Sequence, residues 1–228
     1  MRKSWLCSYI LYILYMALYV AAAAGQAPGS PAEEAFALIQ SATKSRADGF
    51  DSRAEAQYQR SLAILEKLSG PQSPDLTPAL NGLAEVYFDQ RRYTDAESLT
   101  RRSASLVETA LGPAHPLVAT SLHNLASIYH AQGQYAKAEP LYLRALEIRE
   151  AALGPRHPFV AATLVNLAEL DRARGDYNQA AALYARAVAI REEAFGIEDP
   201  RVVETAANYA AVLRKTRRRA SVPQAETR

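Results

Sequence analysis

The chain has 228 residues, 49% of them apolar, with 26 Lys+Arg against 24 Asp+Glu, one Cys and four His. That composition supports a buried core in one or two domains and excludes a disordered chain. A single cysteine excludes an internal disulfide framework and a Cys-rich zinc site, and a formal charge of +2 gives no support to a nucleic-acid binder.

Arg2 and Lys3 precede an uncharged stretch from Trp5 to Ala24 that closes in four consecutive alanines. A positive start, an apolar middle and an A-x-A site at Ala22 to Ala24 form a secretory signal peptide over residues 1–24, which predicts export to a periplasm or the outside. At about 20 residues the stretch is also long enough to span a bilayer, so a retained membrane anchor over 5–24 is the alternative. Residues 25–32, rich in Gly, Pro and Ser, read as a flexible linker. Cleavage would remove Cys7 and leave no cysteine.

A 42-residue step governs the remainder of the chain. Tyr93, Tyr135 and Tyr177 obey it, as do Ala54, Ala96, Ala138 and Ala180, and Arg60, Arg102, Arg144 and Arg186. Gly70, Gly112, Gly154 and Gly196 keep the same spacing, and so do Pro74, Pro116, Pro158 and Pro200. Within one period, Leu122, Leu125, Ala126 and Tyr129 form one apolar stripe on a helix. Gly133-Gln134 ends that helix, and Ala138, Leu141, Tyr142, Ala145, Leu146 and Ile148 form the stripe of a second. Gly154 closes the second helix through the left-handed conformation that glycine tolerates. His157-Pro158 opens the next, with proline in a first turn where its missing N–H costs nothing. Ser73-Pro74, His115-Pro116 and Asp199-Pro200 repeat the device, so each period is a helical hairpin.

Leu125-Ala126, Tyr129, Gly133, Tyr135, Ala138, Tyr142, Ala145 and Leu146 resemble the tetratricopeptide repeat pattern. The connector Leu-Gly-Pro-x-His-Pro-x-Val-Ala at 111–119 and 153–161 is similar to the kinesin light chain subtype, whose second helix is longer. The resemblance implies an all-α fold, an α-solenoid of antiparallel helix-turn-helix hairpins in a right-handed superhelix. Its parts are a degenerate repeat at 33–75, full repeats at 76–117, 118–159 and 160–201, a capping helix at 202–215 and a disordered basic tail at 216–228. In the first repeat Ser41 and Ser45 stand where Leu125 and Tyr129 stand later, and Asp51 replaces the tyrosine column.

The resemblance also implies a concave groove, lined by the first helix of each hairpin, that takes a peptide or partner protein. The candidate binding residues are Asn81, Glu85, Thr120, His123, Asn124, Ser127, His130, Asn166, Glu169, Arg172 and Asn208. Asn124, Asn166 and Asn208 form a 42-residue column of their own, broken at Gly82. An amide offers donor and acceptor together, so such a column can hold the backbone of an extended peptide, as it does in related repeat proteins. The equal alternative is that these amides bond only to neighbouring helices. A clamp for a terminal carboxylate would need Lys or Arg beside each Asn, and the neighbours here are His123, Val165 and Ala207.

No catalytic constellation, phosphate-binding glycine loop or metal motif is present, which predicts a protein that is not an enzyme and uses no cofactor. The function implied is an exported or membrane-anchored interaction scaffold; the alternative is a structural subunit with a permanent partner in an envelope complex. Residues 25–213 carry 18 basic and 23 acidic side chains, and 214–228 carry six and one. The basic end reads as favourable charge at a helix C-terminus, with contact to an anionic membrane surface as its second reading. No nucleic-acid partner is expected.

Overall fold

The computed structural model describes residues 30–221. The signal or anchor segment 1–24, the linker residues 25–29 and the tail residues 222–228 lie outside the described residues. The chain divides between Gly133 and Gln134 into two compact units. Every described residue outside the turns is helical.

The first unit holds α1 (Pro31–Ala47), α2 (Asp51–Ser69), α3 (Thr77–Asp89), α4 (Tyr93–Leu111) and α5 (Pro116–Ala131). A single 3-10 turn, Pro74–Leu76, leads into α3. Helix α1 packs on α2, α2 on α3, α3 on α4, and α4 on α5. The second unit holds α6 (Tyr135–Leu153), α7 (Pro158–Arg174), α8 (Tyr177–Phe195) and α9 (Pro200–Ser221), each packed on the next. The hairpins α1–α2 and α3–α4 of the first unit and α7–α8 of the second, predicted from the 42-residue step, are therefore present.

The alanine column explains how closely they pack. Ala54, Ala96, Ala138 and Ala180 are all fully buried, and a side chain as small as a methyl group lets two helix backbones approach closely at a crossing. In the first unit Ile39, Tyr58, Leu65, Leu80, Leu83 and Val86 complete a continuous core. In the second, Val160 and Leu164 meet Ala187 and Ile190, while Ala168, Ala180, Tyr184 and Val212 form a second cluster.

The boundaries follow from side-chain caps. Ser73 accepts from the Asp75 N–H at 3.2 Å, His115 Nδ1 from Leu117 at 3.2 Å, His157 Nδ1 from Phe159 at 3.1 Å, and Asp199 from Arg201 at 2.8 Å. Each satisfies a donor that the helix start leaves without an intrahelical partner. The closing glycines Gly70, Gly112, Gly154 and Gly196 have positive φ, as expected, but their ψ of 153–162° is extended and not left-handed helical. Only glycine adopts that region readily, and open space around each shows that torsion, not crowding, selects it.

Two boundaries differ from those expected of the sequence, the start of α1 and the end of α9. Ser30 caps α1 by accepting from Glu33, so the last linker residues belong to a helix start. The degenerate repeat forms a full hairpin: Ser41 and Ser45 both bond to Gln57, at 2.7 and 3.0 Å, which gives the polar replacements partners. Helix α9 continues to Ser221, past the expected end at 215, because its Arg and Lys residues are good helix formers and suit a helix C-terminus.

Candidate functional site

Each unit carries its own share of the candidate residues. In the first, α3 supplies Asn81 and Glu85, and α5 supplies Thr120, His123, Asn124, Ser127 and His130. In the second, α7 supplies Asn166, Glu169 and Arg172, and α9 supplies Asn208.

On α3 the acid is already committed. Arg46 of α1 donates to Glu85 at 2.5 Å and to Asp89 at 2.8 Å, and Glu85 is buried. Burial pulls the Arg46 guanidinium down, but Glu85 and Asp89 outweigh it and hold the group above its ordinary value. The neighbouring Tyr58 hydroxyl, bonded to Thr43 at 2.9 Å, is pushed up to about 12 by burial and by Glu85. The amides behave otherwise. Asn81 Oδ1 is buried with no hydrogen-bond donor among the described residues. Asn124 is 4% exposed, and among the described residues its amide forms no hydrogen bond. A buried acceptor without a donor, as Asn81 Oδ1 is, costs about 1–3 kcal/mol.

The remaining α5 residues are occupied. Thr120 donates to the Pro116 carbonyl at 3.3 Å and Ser127 to the His123 carbonyl at 3.0 Å. His123 is buried, His130 is half-buried, and both are engaged. Gly82, the break in the asparagine column, has a steric cause. A Cβ there would stand 2.3 Å from the Tyr58 ring, and in the next repeat Thr100 occupies the tyrosine's place in the column.

In the second unit Glu169 accepts from Arg172 Nε at 2.9 Å and from the Tyr184 hydroxyl. Burial, followed by that bond, raises the tyrosine well above its ordinary value. Asn166 is half-buried and engaged. Asn208 is half-buried, with no hydrogen bond among the described residues. Asp171, which stands in the column of Tyr87 and Tyr129, is 6% exposed, and burial followed by Glu139 and Asp176 raises its carboxyl. Among the described residues no cluster of His, Cys, Asp or Glu could hold a metal.

Two members of the arginine column, Arg102 and Arg186, reach back to the preceding repeat, whereas Arg60 pairs inside the first. Arg102 pairs with Glu66 at 2.7 Å and donates to the Pro71 carbonyl; Arg186 does the same with Glu150 and Pro155, and Arg60 pairs with Glu34. A second arginine column was not among the expected features, although its spacing is also 42. Arg149, 2% exposed, donates to Thr163 at 2.7 Å and to the Phe159 carbonyl at 3.2 Å. Arg191 makes the matching bonds to Thr205 and to the Arg201 carbonyl.

The tetratricopeptide repeat profile matches residues 75–151, 117–193 and 159–221. Among solved structures, BtubC (BKLC) from P. vanneervenii is similar, with a TM-score of 0.68 and 28% identity over 77% of this chain and 70% of that one. The nearly identical TPR-like repeats of a Podosopora anserina kinesin light chain share the fold at a TM-score of 0.69 and 23% identity. They are matched over 84% of this chain and 90% of that one. A point variant of those repeats gives the same TM-score and identity over 83% and 89%. No curated protein matches the chain.

Proposed function

The chain belongs to the tetratricopeptide repeat family, and on that premise we propose that it is an exported scaffold that holds an extended segment of a partner protein. Repeats of this family generally bind proteins and are generally not enzymes. One observation carries the finer reading. In the first unit Asn81 Oδ1 and the Asn124 amide are buried or nearly so without hydrogen-bond partners among the described residues, while Glu85, one turn from Asn81 on α3, is neutralised by Arg46. Uncharged donors and acceptors with no internal role suit the backbone amides of an extended chain, which present both kinds of group at regular spacing. Such a surface holds main chain and leaves side-chain selection to the residues around it.

Export rests on the signal pattern of residues 1–24. Among the described residues no helix is long and apolar enough to cross a membrane. The mass of the mature N-terminus separates cleavage near Ala24 from a retained anchor.

The test of the binding reading is affinity capture with the wild type and an Asn81→Ala/Asn124→Ala variant, paired with thermal unfolding. Binding should fall at least about tenfold with no loss of stability, because neither amide has an internal bond to lose. Unchanged capture, or a loss of stability matching the loss of binding, would sink the proposal.

A further inference from the structure

Helix α9 buries one side and leaves the opposite one open. It packs on α8 through Val202, Thr205 and Val212, which are 1–2% exposed. Its far side carries Val203, 56% exposed, then exposed Ala207, Ala210 and Arg214. Offsets of four, three and four place these four residues on one stripe. Their counterparts one period earlier show what such a face is built to meet. Ala161 and Ala168 of α7 are fully buried, packed with Ala187, Ile190, Ala180 and Tyr184 of α8. Helix α9 therefore offers to solvent the face that α7 gives to an antiparallel helix, and Ala207 and Ala210 allow a helix to approach within about 8–10 Å.

The charges on α9 say which helix. Glu198 and Glu204 lie exposed at its N-terminal end, and Arg214, Lys215 and Arg217 lie exposed at its C-terminal end. A helix laid antiparallel against this face must carry the reverse order of charge, and α9 itself does so when turned end for end. We propose that this face is a self-association surface, on which a second copy of the chain packs its own α9 antiparallel about a two-fold axis between Ala207 and Ala210. In that register Ala207 faces Ala210 of the second copy. Glu204 comes within one turn of Lys215 of the second copy, and symmetry repeats both contacts. Ile197, 72% exposed beside the start of the helix, adds apolar surface at each end of the pair. One helix face falls below the roughly 1,200 Å² of standard interfaces, so the dimer is a reversible one.

Sedimentation velocity of the full chain over a hundredfold concentration range tests this. The wild type should pass from monomer to dimer, and Ala210→Glu should remove the dimer. Glu204→Lys and Lys215→Glu should each weaken it about tenfold, and together restore it to within about threefold of the wild type. Far-UV circular dichroism identifies any variant that has not folded, and Ala207→Glu then replaces Ala210→Glu. A wild type that stays monomeric, a dimer indifferent to the alanine substitutions, or charge reversals that fail to restore each other would overturn the proposal.

Discussion

The two units build the same hairpin seam from different chemistry. In the first, the contact between a second helix and the next first helix carries no charge: Leu65 and Ala79 share the apolar core, and Val107 with Ser121 repeats the position, all of them buried. In the second, the same columns hold Arg149 with Thr163 and Arg191 with Thr205, joined by hydrogen bonds. The tyrosine column changes in parallel. Tyr129 donates to Glu97 at 2.6 Å in the first unit, whereas Asp171 in the second faces Glu139 with a second negative charge. A repeat thus fixes the backbone path and the volume at each column but not the polarity.

The largest effect should come from breaking the arginine seam. Arg149→Ala removes two hydrogen bonds and opens a cavity, and should cost about 3–4 kcal/mol in urea unfolding. Copying the first unit's pair with Arg149→Leu/Thr163→Ala should recover most of that loss, since an apolar replacement needs no partners. If the double variant is no more stable than Arg149→Ala, the two seams are not equivalent.

A smaller gain is expected where the second unit carries repulsion. Asp171→Tyr supplies the hydroxyl that Tyr129 uses and removes a buried carboxylate whose protonation is favoured by its surroundings, so stability at neutral pH should rise by about 1 kcal/mol. The sign reverses with acid. A carboxyl with a raised folded pKa destabilises the fold while ionised, and that penalty fades as pH falls through the raised value. The advantage of the variant should therefore shrink in acid, and an advantage independent of pH would refute the cause.

The smallest effect separates helix starts. Burial lowers the pKa of His115 and, together with Arg149, that of His157 from the ordinary 6.5. The unfolded chain then takes up protons that the folded caps resist, so stability present above 6.5 is lost as pH drops below it. The loss should be small, and His115→Ser/His157→Ser, which copies the Ser73 cap, should flatten the profile below pH about 6.5. An unchanged slope would exclude the caps as its source.

Much of the fold was legible because a repeat prints its geometry several times. The glycine, proline and alanine columns each mark a torsion, a cap or a close crossing that the backbone demands at every period. The functional surface was legible only as positions. Nothing local announces that Glu85 is held by Arg46, 39 residues away, or that Gly82 is small because the Tyr58 ring fills the space. Arg149 was missed although its column is regular, since an arginine on a second helix reads as solvated until the next helix covers it.

By itself, the sequence determined the hairpins, their order and their boundaries to within a few residues, because those depend on contacts within one period. Only the tertiary structure decided which polar groups are already satisfied. Asn124 and Asn166 occupy the same column, yet one amide has no hydrogen bond among the described residues and the other is engaged. The physical reason is that a hydrogen bond depends on the partner brought across from another helix, and a column records the residue without recording that partner.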